Sequence, residues 1–529
     1  MPRMLPSSDS SDTWPKAARF LEGALLFTLI AHAAGMVSMA ALLLRAMPGG
    51  TTADTAQRIA YIANHPWLWR FGWFPWQVTA LSDLLVGIAL IRTPWIPRTP
   101  AVVTTLLTIA AIVPDQGGQL LWTWHGTTLA RRAIESGQFG DYLQFESHIF
   151  QYVAGWAPAG YLAGALGWTW CFATARIWSR GLTWLSIATW IIFGVATAFM
   201  FLPANVRERA TVATLVSAGN AIAFVLLMIW LTWVTELAMR RSRPTCEHGC
   251  LATWRPSSRG LIARGCAMLA NSRLARAIGE RLPILAMASD IHDVVYINYL
   301  VEAERLAPLV QKPLELQRLG PDGRYAMFTL LTYRHGSFGP LLFGPLRRMW
   351  PSPVQSNWRI HVFDPQTSKR GIQFLTTAIT SMPHALATRL LSEGVPMHVP
   401  AAAHVRRDLD GNIEVMIDPG NGSAPDVKAV CRFCEEPALV HPWNLCFENW
   451  RQMLAYCVPQ DRALCAQPWH RRVVRQEIEL GIPLEACQPL AAEVESSSAR
   501  AIAGDAQPLC FLVEKVSFQF FGELYDARR

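Results

Sequence analysis

AVVTTLLTIAAIVPDQGGQLLWTW, residues 101 to 124, decides the class of the N-terminal half, because the run is continuously apolar and carries a single charged residue, Asp115. A helix that crosses a membrane needs about 20 mostly apolar residues. Five further runs meet that length: Phe20 to Leu44, Gly72 to Ile91, Ile149 to Thr174, Gly181 to Leu202 and Ala210 to Leu237. In lipid only helices and closed barrels satisfy the backbone, and unbroken rather than alternating apolarity selects helices. The expected architecture is an all-α six-helix transmembrane bundle over residues 20 to 239, preceded by a cytoplasmic tail, 1 to 19. The first run exceeds a signal-peptide core and five more follow it, so it reads as a span.

Composition changes along the chain. Hydrophobic residues make up 51% of the 529 and charged residues 16%, below the usual quarter. After Lys16 no lysine occurs until Lys312, whereas charge density is ordinary from about Asp290 onward. The net charge of +8 would point to nucleic acid in a soluble protein. Here many arginines sit at the ends of apolar runs, where membrane topology accounts for them, and no nucleic-acid partner is expected. Eleven cysteines, an odd number outside any small disulfide-dense domain, fit a reducing compartment.

Tryptophans at run edges (Trp67, Trp69, Trp73, Trp95, Trp122, Trp124) predict interfacial belts. With the N-terminus inside, the inner side holds Arg3, Lys16, Arg19, Arg92, Arg98, Arg176, Arg180, Arg240, Arg241 and Arg243. The outer side holds Arg45, Arg58, Arg70, Arg131, Arg132, Arg207 and Arg209. This bias, the short inner connectors and the cysteine-bearing C-terminal half favour a multi-pass cell-membrane protein with both the N-terminus and the C-terminal domain cytoplasmic.

Polar groups inside spans are costly and point to function. Asp83 follows Gln77 by six positions, and Asp115 and Gln119, four apart, share a helix face. Pro114, Gly117 and Gly118 should loosen that helix. His32, Asn220, Glu146 and His148 complete the set. Such residues either line a polar cavity for a proton, ion or small ligand, or bond helix to helix.

Residues 240 to 289 read as a basic juxtamembrane linker in which Arg240, Arg241 and Arg243 face lipid headgroups and Ser272 to Leu282 forms a short amphipathic helix. Cys246, His248 and Cys250 are half a zinc pattern. The other CxxC, Cys431 and Cys434, is remote, so neither a metal site nor any cofactor is expected.

Residues 290 to 529 read as a soluble α+β domain built on antiparallel sheet. Expected strands are Asp293 to Val301, Leu314 to Leu319 and Tyr325 to Tyr333 across the turn Pro321-Asp322-Gly323. They continue with Trp358 to Phe363 and Ile372 to Ile379, a hairpin across Asp410-Gly411-Asn412, Val473 to Leu480, and Cys510 to Phe520. Helices are expected from Pro383 to Leu391, ended by Gly394, and from Trp443 to Tyr456. On a strand alternate residues share a face, so Asn357, Arg359 and His361 project together, with Thr376 beside them. An inward arginine suits a carboxylate bidentately, which makes these four the expected ligand-binding residues, unless Arg359 pairs with an internal acid. His384, Arg389 and His398 stand nearby. No nucleophile elbow, Walker loop, dinucleotide fingerprint or HExxH is present.

Several segments of this half resemble a YqjF-like domain-of-unknown-function family, grouped with the acetoacetate decarboxylase-like fold, over about residues 290 to 522. NWRIHV, 357 to 362, resembles the family's Asn-x-Arg-x-Tyr strand with His361 at the usual aromatic. GIQFL, 371 to 375, resembles its Gly-Val-x-Phe-Phe strand. The helix ending just after Arg389, with Val395 and Pro396, resembles its helix and Leu-Pro-Tyr segment, and RQEIELGIPLEACQPLAAEV, 475 to 494, resembles its late strand. The resemblance implies, for an enzyme, a lyase-like activity on a small carboxylic or oxo acid through a Schiff-base lysine. Of Lys312, Lys369, Lys428 and Lys515, the candidate is Lys369, beside Arg370, although the fold relatives' paired lysines are not reproduced. The leading expectation is a membrane protein whose domain binds or transforms a small acidic metabolite. Its rivals are a sensor or transporter using Asp83 and Asp115, and a scaffold without chemistry.

Overall fold

In the computed structural model, residues 14–52, 54–175, 177–203, 210–242, 252–392, 394–458, 462–467 and 472–527 are described. Arg3, Arg176, Arg207, Arg209, Arg243 and the Cys246-His248-Cys250 group lie outside them. The chain divides into two compact units, Met1–Ser242 and Arg243–Arg529.

The first unit is helical: α1 Trp14–Ser38, α2 Thr55–Asn64, α3 Pro66–Arg92, α4 Arg98–Leu121, α5 Thr127–Ser136, α6 Gly140–Gln151, α7 Ala157–Thr174, α8 Arg180–Phe199 and α9 Ala210–Ser242. π-turns at Met39–Leu43, Trp122–Gly126 and Tyr152–Trp156 prolong α1 and α4 and join α6 to α7. Among the described residues five helices are long and apolar enough to cross a membrane: Lys16–Leu43, Pro66–Arg92, Arg98–Ser136, Arg180–Phe199 and Thr214–Ser242. The expected fourth span, 149 to 174, is helical, but its glycines, tryptophans and Tyr161 keep it out of this set.

Those glycines set its packing. A Cβ on Gly160 would come within 2.8 Å of the Ala111 Cβ, and Gly164 and Gly167 abut Thr108 and Thr104 in the same way. α7 therefore lies against α4 through small residues, the contact that brings backbones close without a hydrophobic drive. Pro114 does not end α4, which runs on to Leu121.

The tryptophan belt is corrected in part. Trp67 and Trp124 are exposed, but Trp69, Trp73 and Trp122 are buried, with ring centroids 5.5–5.8 Å apart. The cause is α2, α5 and α6, helices in the connectors that close over those rings. The same region buries Arg58 against Glu146, Nη1 to Oε1 at 3.1 Å and Nη2 to Oε2 at 2.8 Å. Arg240 pairs with Glu236, and Arg241 donates to the Ala175 carbonyl at 2.9 Å.

The second unit opens with α10 Leu261–Ala270 and α11 Arg273–Gly279, which lie on α13 (Met382–Leu391). Its strands are β1 Met287–Glu302, β2 Glu315–Leu316, β3 Arg318–Leu319, β4 Tyr325–Pro340, β5 Val354–Asp364, β6 Lys369–Ile379 and β7 Met397–His398. They continue with β8 Ala402–Arg407, β9 Ile413–Asp418, β10 Val427–Phe433, β11 Arg462–Gln467, β12 Arg472–Leu480, β13 Cys487–Glu495 and β14 Pro508–Ala527. The remaining helices are α12 Ala303–Leu306, α14 Trp450–Cys457 and α15 Ser497–Ala503. The helix expected from Trp443 begins at Trp450, because the Asn449 side chain caps it by accepting from the Gln452 N–H at 2.9 Å.

The sheet is mixed rather than purely antiparallel. Its order runs β1-β4-β5-β6-β11-β12-β14, and β14 pairs back to β1, closing a ring. Two contacts are parallel, β6 with β7 and β6 with β11. Gly371 permits the second: a Cβ there would sit 2.7 Å from the Arg462 carbonyl. β13, β10, β9 and β8 extend from the other part of β14. Successive side chains therefore divide between two cores. Val295, Ile297, Phe328, Leu330, Trp358 and Ile360 pack outward onto β8 to β10. Tyr296, Leu331, Tyr333 and Phe511 face the ring interior, which α14 covers with Trp450, Met453 and Leu454. Strands buried on both faces explain why β1 reads as DVVYINYLV with little polar alternation. The expected strand Leu314 to Leu319 splits because the Gln317 side chain turns in to the Val362 and Gly371 carbonyls, at 2.6 and 3.2 Å.

Candidate functional site

Inside the ring lies a cavity of about 40 Å³ walled by Ile291, Tyr296, Tyr333, Asn357, Arg359 and Phe374, among others. β5 delivers the two polar members at alternate positions. Arg359 is 3% exposed. One Nη donates to the Cys457 carbonyl at 3.5 Å, the guanidinium carbon stands 5.7 Å from the Tyr296 ring centre, and Nε has no hydrogen-bond partner. Among the described residues no carboxylate lines the cavity, and none bonds Arg359.

The groups around Arg359 do not replace the missing anion. Burial pushes the Cys457 thiol up to about 12 and, more strongly than the opposing Arg359 charge, keeps it protonated. Burial likewise drives the Cys487 thiol up to about 11 and raises the Tyr296 phenol. A buried cation without an anionic partner costs several kcal/mol, so the arrangement is one that an entering anion would complete.

Asn357 is held from both sides. Its Nδ2 donates to the Tyr333 hydroxyl at 3.0 Å and its Oδ1 accepts from Gln355 Nε2 at 2.8 Å. Gln355 Oε1 lies 2.9 Å from His335 Nε2, whose Nδ1 is 2.8 Å from Ser289 Oγ. Burial lowers His335 to about 4, so the imidazole in this chain is neutral.

His361 shares the face but lies beneath α14, stacked on Tyr456 with centroids 4.9 Å apart. Neither ring nitrogen has a partner, and burial, followed by the Arg359 charge, holds its pKa well below the ordinary histidine value.

The structure places Thr376 elsewhere. A bulge between Trp358 and Arg359 sets Thr376 opposite Trp358, on the outward face, and Thr377 opposite Asn357. The Thr377 hydroxyl is buried and unpartnered, so it is the threonine on the Arg359 side. Lys369 pairs with Asp364 at the hairpin end. That is five residues along β5 from Arg359, roughly 17 Å at 3.4 Å per residue, and on the opposite face; among the described residues no lysine lines the cavity. His384 and Arg389 are engaged in α13, His384 with Ser381 and the Phe338 carbonyl and Arg389 with the Met397 carbonyl.

Sequence reasoning missed Tyr296, Tyr333, Phe374 and Gln355. The alternation of aromatics in YINY and of GIQFL carries part of that signal, but which face closes into a ring is decided by pairings remote in sequence.

In the helical unit Asp83, Asp115 and Gln119 come together on a second cavity, also reached by His32 and Asn220. Glu146 does not join them, being tied to Arg58.

No protein-family model matches the chain, and no curated protein matches it. Solved structures similar to it include the enduracididine biosynthesis enzyme MppR complexed with pyruvate, at 13% identity and a TM-score of 0.32, covering 46% of this chain and 91% of that one. Another is an acetoacetate decarboxylase-like enzyme from Sphingomonas wittichii RW1, at 7% identity and a TM-score of 0.33, covering 47% of this chain and 95% of that one.

Proposed function

We propose that the sheet unit binds a small carboxylate at Arg359 and that the helical unit anchors it in a membrane. The observation that carries the reading is the buried Arg359 guanidinium, which faces a cavity, keeps an unpartnered Nε and meets no carboxylate among the described residues. Arginine keeps its charge when buried and presents a planar fork matched to a carboxylate. Asn357 and Tyr333 add fixed dipoles beside it. A cavity of about 40 Å³ has room for roughly three or four non-hydrogen atoms, at about 10–15 Å³ each, so the ligand is of the size of formate or acetate. Schiff-base chemistry finds no amine here, and binding is the role assigned.

The helical unit is read as six spans, counting the continuous helix from α6 through α7 as the sixth. Its close glycine contacts with α4 support that reading. An even number places both termini on one side, and the arginine bias makes that side cytoplasmic.

A thermal-shift screen of the purified full chain tests the site. A ligand that binds only the folded form stabilises it by about 2.7 kcal/mol at a hundredfold excess over its dissociation constant. Formate and acetate should raise the melting temperature of the sheet unit and benzoate should not. No shift with any small carboxylate would remove the proposal.

A further inference from the structure

The helical unit holds a cavity of about 440 Å³, the size of sites that enclose drug-like molecules. Its wall is largely apolar and includes the rings of Trp73, Trp76, Trp168, Trp190, Phe193 and Phe224. Against that wall stand two carboxylates, Asp83 and Asp115, and among the described residues no lysine or arginine lines it. Two of the three π-turns contribute to its rim, through Met39 and through Val153 and Ala154; such turns gather at functional sites.

The two acids differ in what they already do. Asp115 is saturated. Its Oδ1 accepts from Gln119 at 2.8 Å, and its Oδ2 accepts from Gln116 at 3.1 Å and from the Tyr161 hydroxyl at 2.9 Å. Asp83 is 6% exposed, and its Oδ1 is buried with no hydrogen-bond partner. His32 Nε2 stands 4.0 Å from that oxygen, beyond bonding distance, while its Nδ1 is 3.0 Å from the Thr28 carbonyl. A structural helix-to-helix role would leave Asp83 bonded, as Asp115 is. An open acceptor in an apolar cavity with aromatic rings in its wall calls instead for a donor brought by a ligand.

We propose that this cavity binds an organic ammonium with a bulky apolar body, its N–H groups on Asp83 and its body among the tryptophans. A cation is attracted both by the carboxylate and by the aromatic faces, and an anion is repelled by both acids. The helical unit then carries a ligand site of its own, independent of Arg359.

The test is calorimetric titration of the full chain in neutral detergent with three matched probes: 2-(1-naphthyl)ethylamine, 2-(1-naphthyl)ethanol and 1-naphthylacetate. The amine should bind about tenfold or more tightly than the alcohol, the difference that one charge-assisted hydrogen bond supplies, and the acid should not bind. Asp83→Asn should bring the amine down to the affinity of the alcohol. Amine and alcohol of equal affinity, no amine binding, or full amine affinity in a folded Asp83→Asn would each overturn the proposal. The probe series on the unmodified protein decides the matter even where the variant fails to fold.

Discussion

The Arg359 guanidinium lies 5.7 Å from the centre of the Tyr296 ring, and among the described residues no carboxylate balances it. Tyr296 and Arg359 reach each other from β1 and β5, two strands separated by β4 in the ring. The contact is one across the interior, between a permanent cation and a neutral phenol that bonds it without balancing its charge. The first consequence is energetic. Replacing a buried ionic group by an apolar one of similar shape often stabilises a fold by about 1–4 kcal/mol. Arg359→Met should therefore melt at a higher temperature than the parent in carboxylate-free buffer. A large loss of stability would mean that an internal acid does pair with Arg359.

Arg58 and Glu146 illustrate the opposite case, since both are buried and doubly bonded. Removing one partner strands the other, at a cost of about 3–5 kcal/mol. Arg58→Met and Glu146→Leu should each destabilise the helical unit by that order, and the double variant should recover much of the loss. Additive losses, measured by thermal unfolding in detergent, would show that the pair is not coupled.

The contact of α7 with α4 is tested at Gly160. A Cβ there meets Ala111 at 2.8 Å, whereas one on Gly117 meets nothing within 4 Å. Gly160→Leu should lower stability by about 1–3 kcal/mol through overpacking. Gly117→Ala should be neutral or slightly stabilising, because alanine is the better helix former. Equal effects at the two positions would contradict the packing.

Acid should loosen the sheet unit through its buried histidines. Burial lowers His335 to about 4 and His398 to about 3, while an unfolded histidine binds its proton near 6.5. Between those values the unfolded chain takes up protons that the folded one refuses. The stabilisation is complete above pH 6.5 and is lost progressively as pH falls toward 4, by about 3 kcal/mol for a shift such as that of His335. Denaturant midpoints at pH 7.5, 6 and 5 should fall in the parent and fall less in His335→Gln. A flat profile would show that His335 is not buried neutral.

How far the sequence reaches can be seen in particular residues. The apolar runs were legible because about 20 contiguous residues are needed to satisfy a helix in lipid, and α1, α3, α4, α8 and α9 follow them closely. The tryptophans were ambiguous, since the same amphipathic ring suits an interface and a core. Trp69, Trp73 and Trp122 are buried only because α2, α5 and α6 fold over them. Arg359 and Asn357 could be placed together by strand alternation alone. Thr376 could not be told from Thr377, because a one-residue bulge opposite Trp358 moves the register. The short strands β10, β11 and β13 escaped notice, and ring closure through Gly371 and Arg462 depends on residues about ninety positions apart, beyond any local signal.

The most direct measurement is calorimetric titration of acetate into the full-length protein and into Arg359→Gln. The account predicts saturable, one-site binding to the parent and its loss in a folded variant. No binding to the parent, or equal binding to both proteins, would contradict the assignment of Arg359 as a carboxylate site.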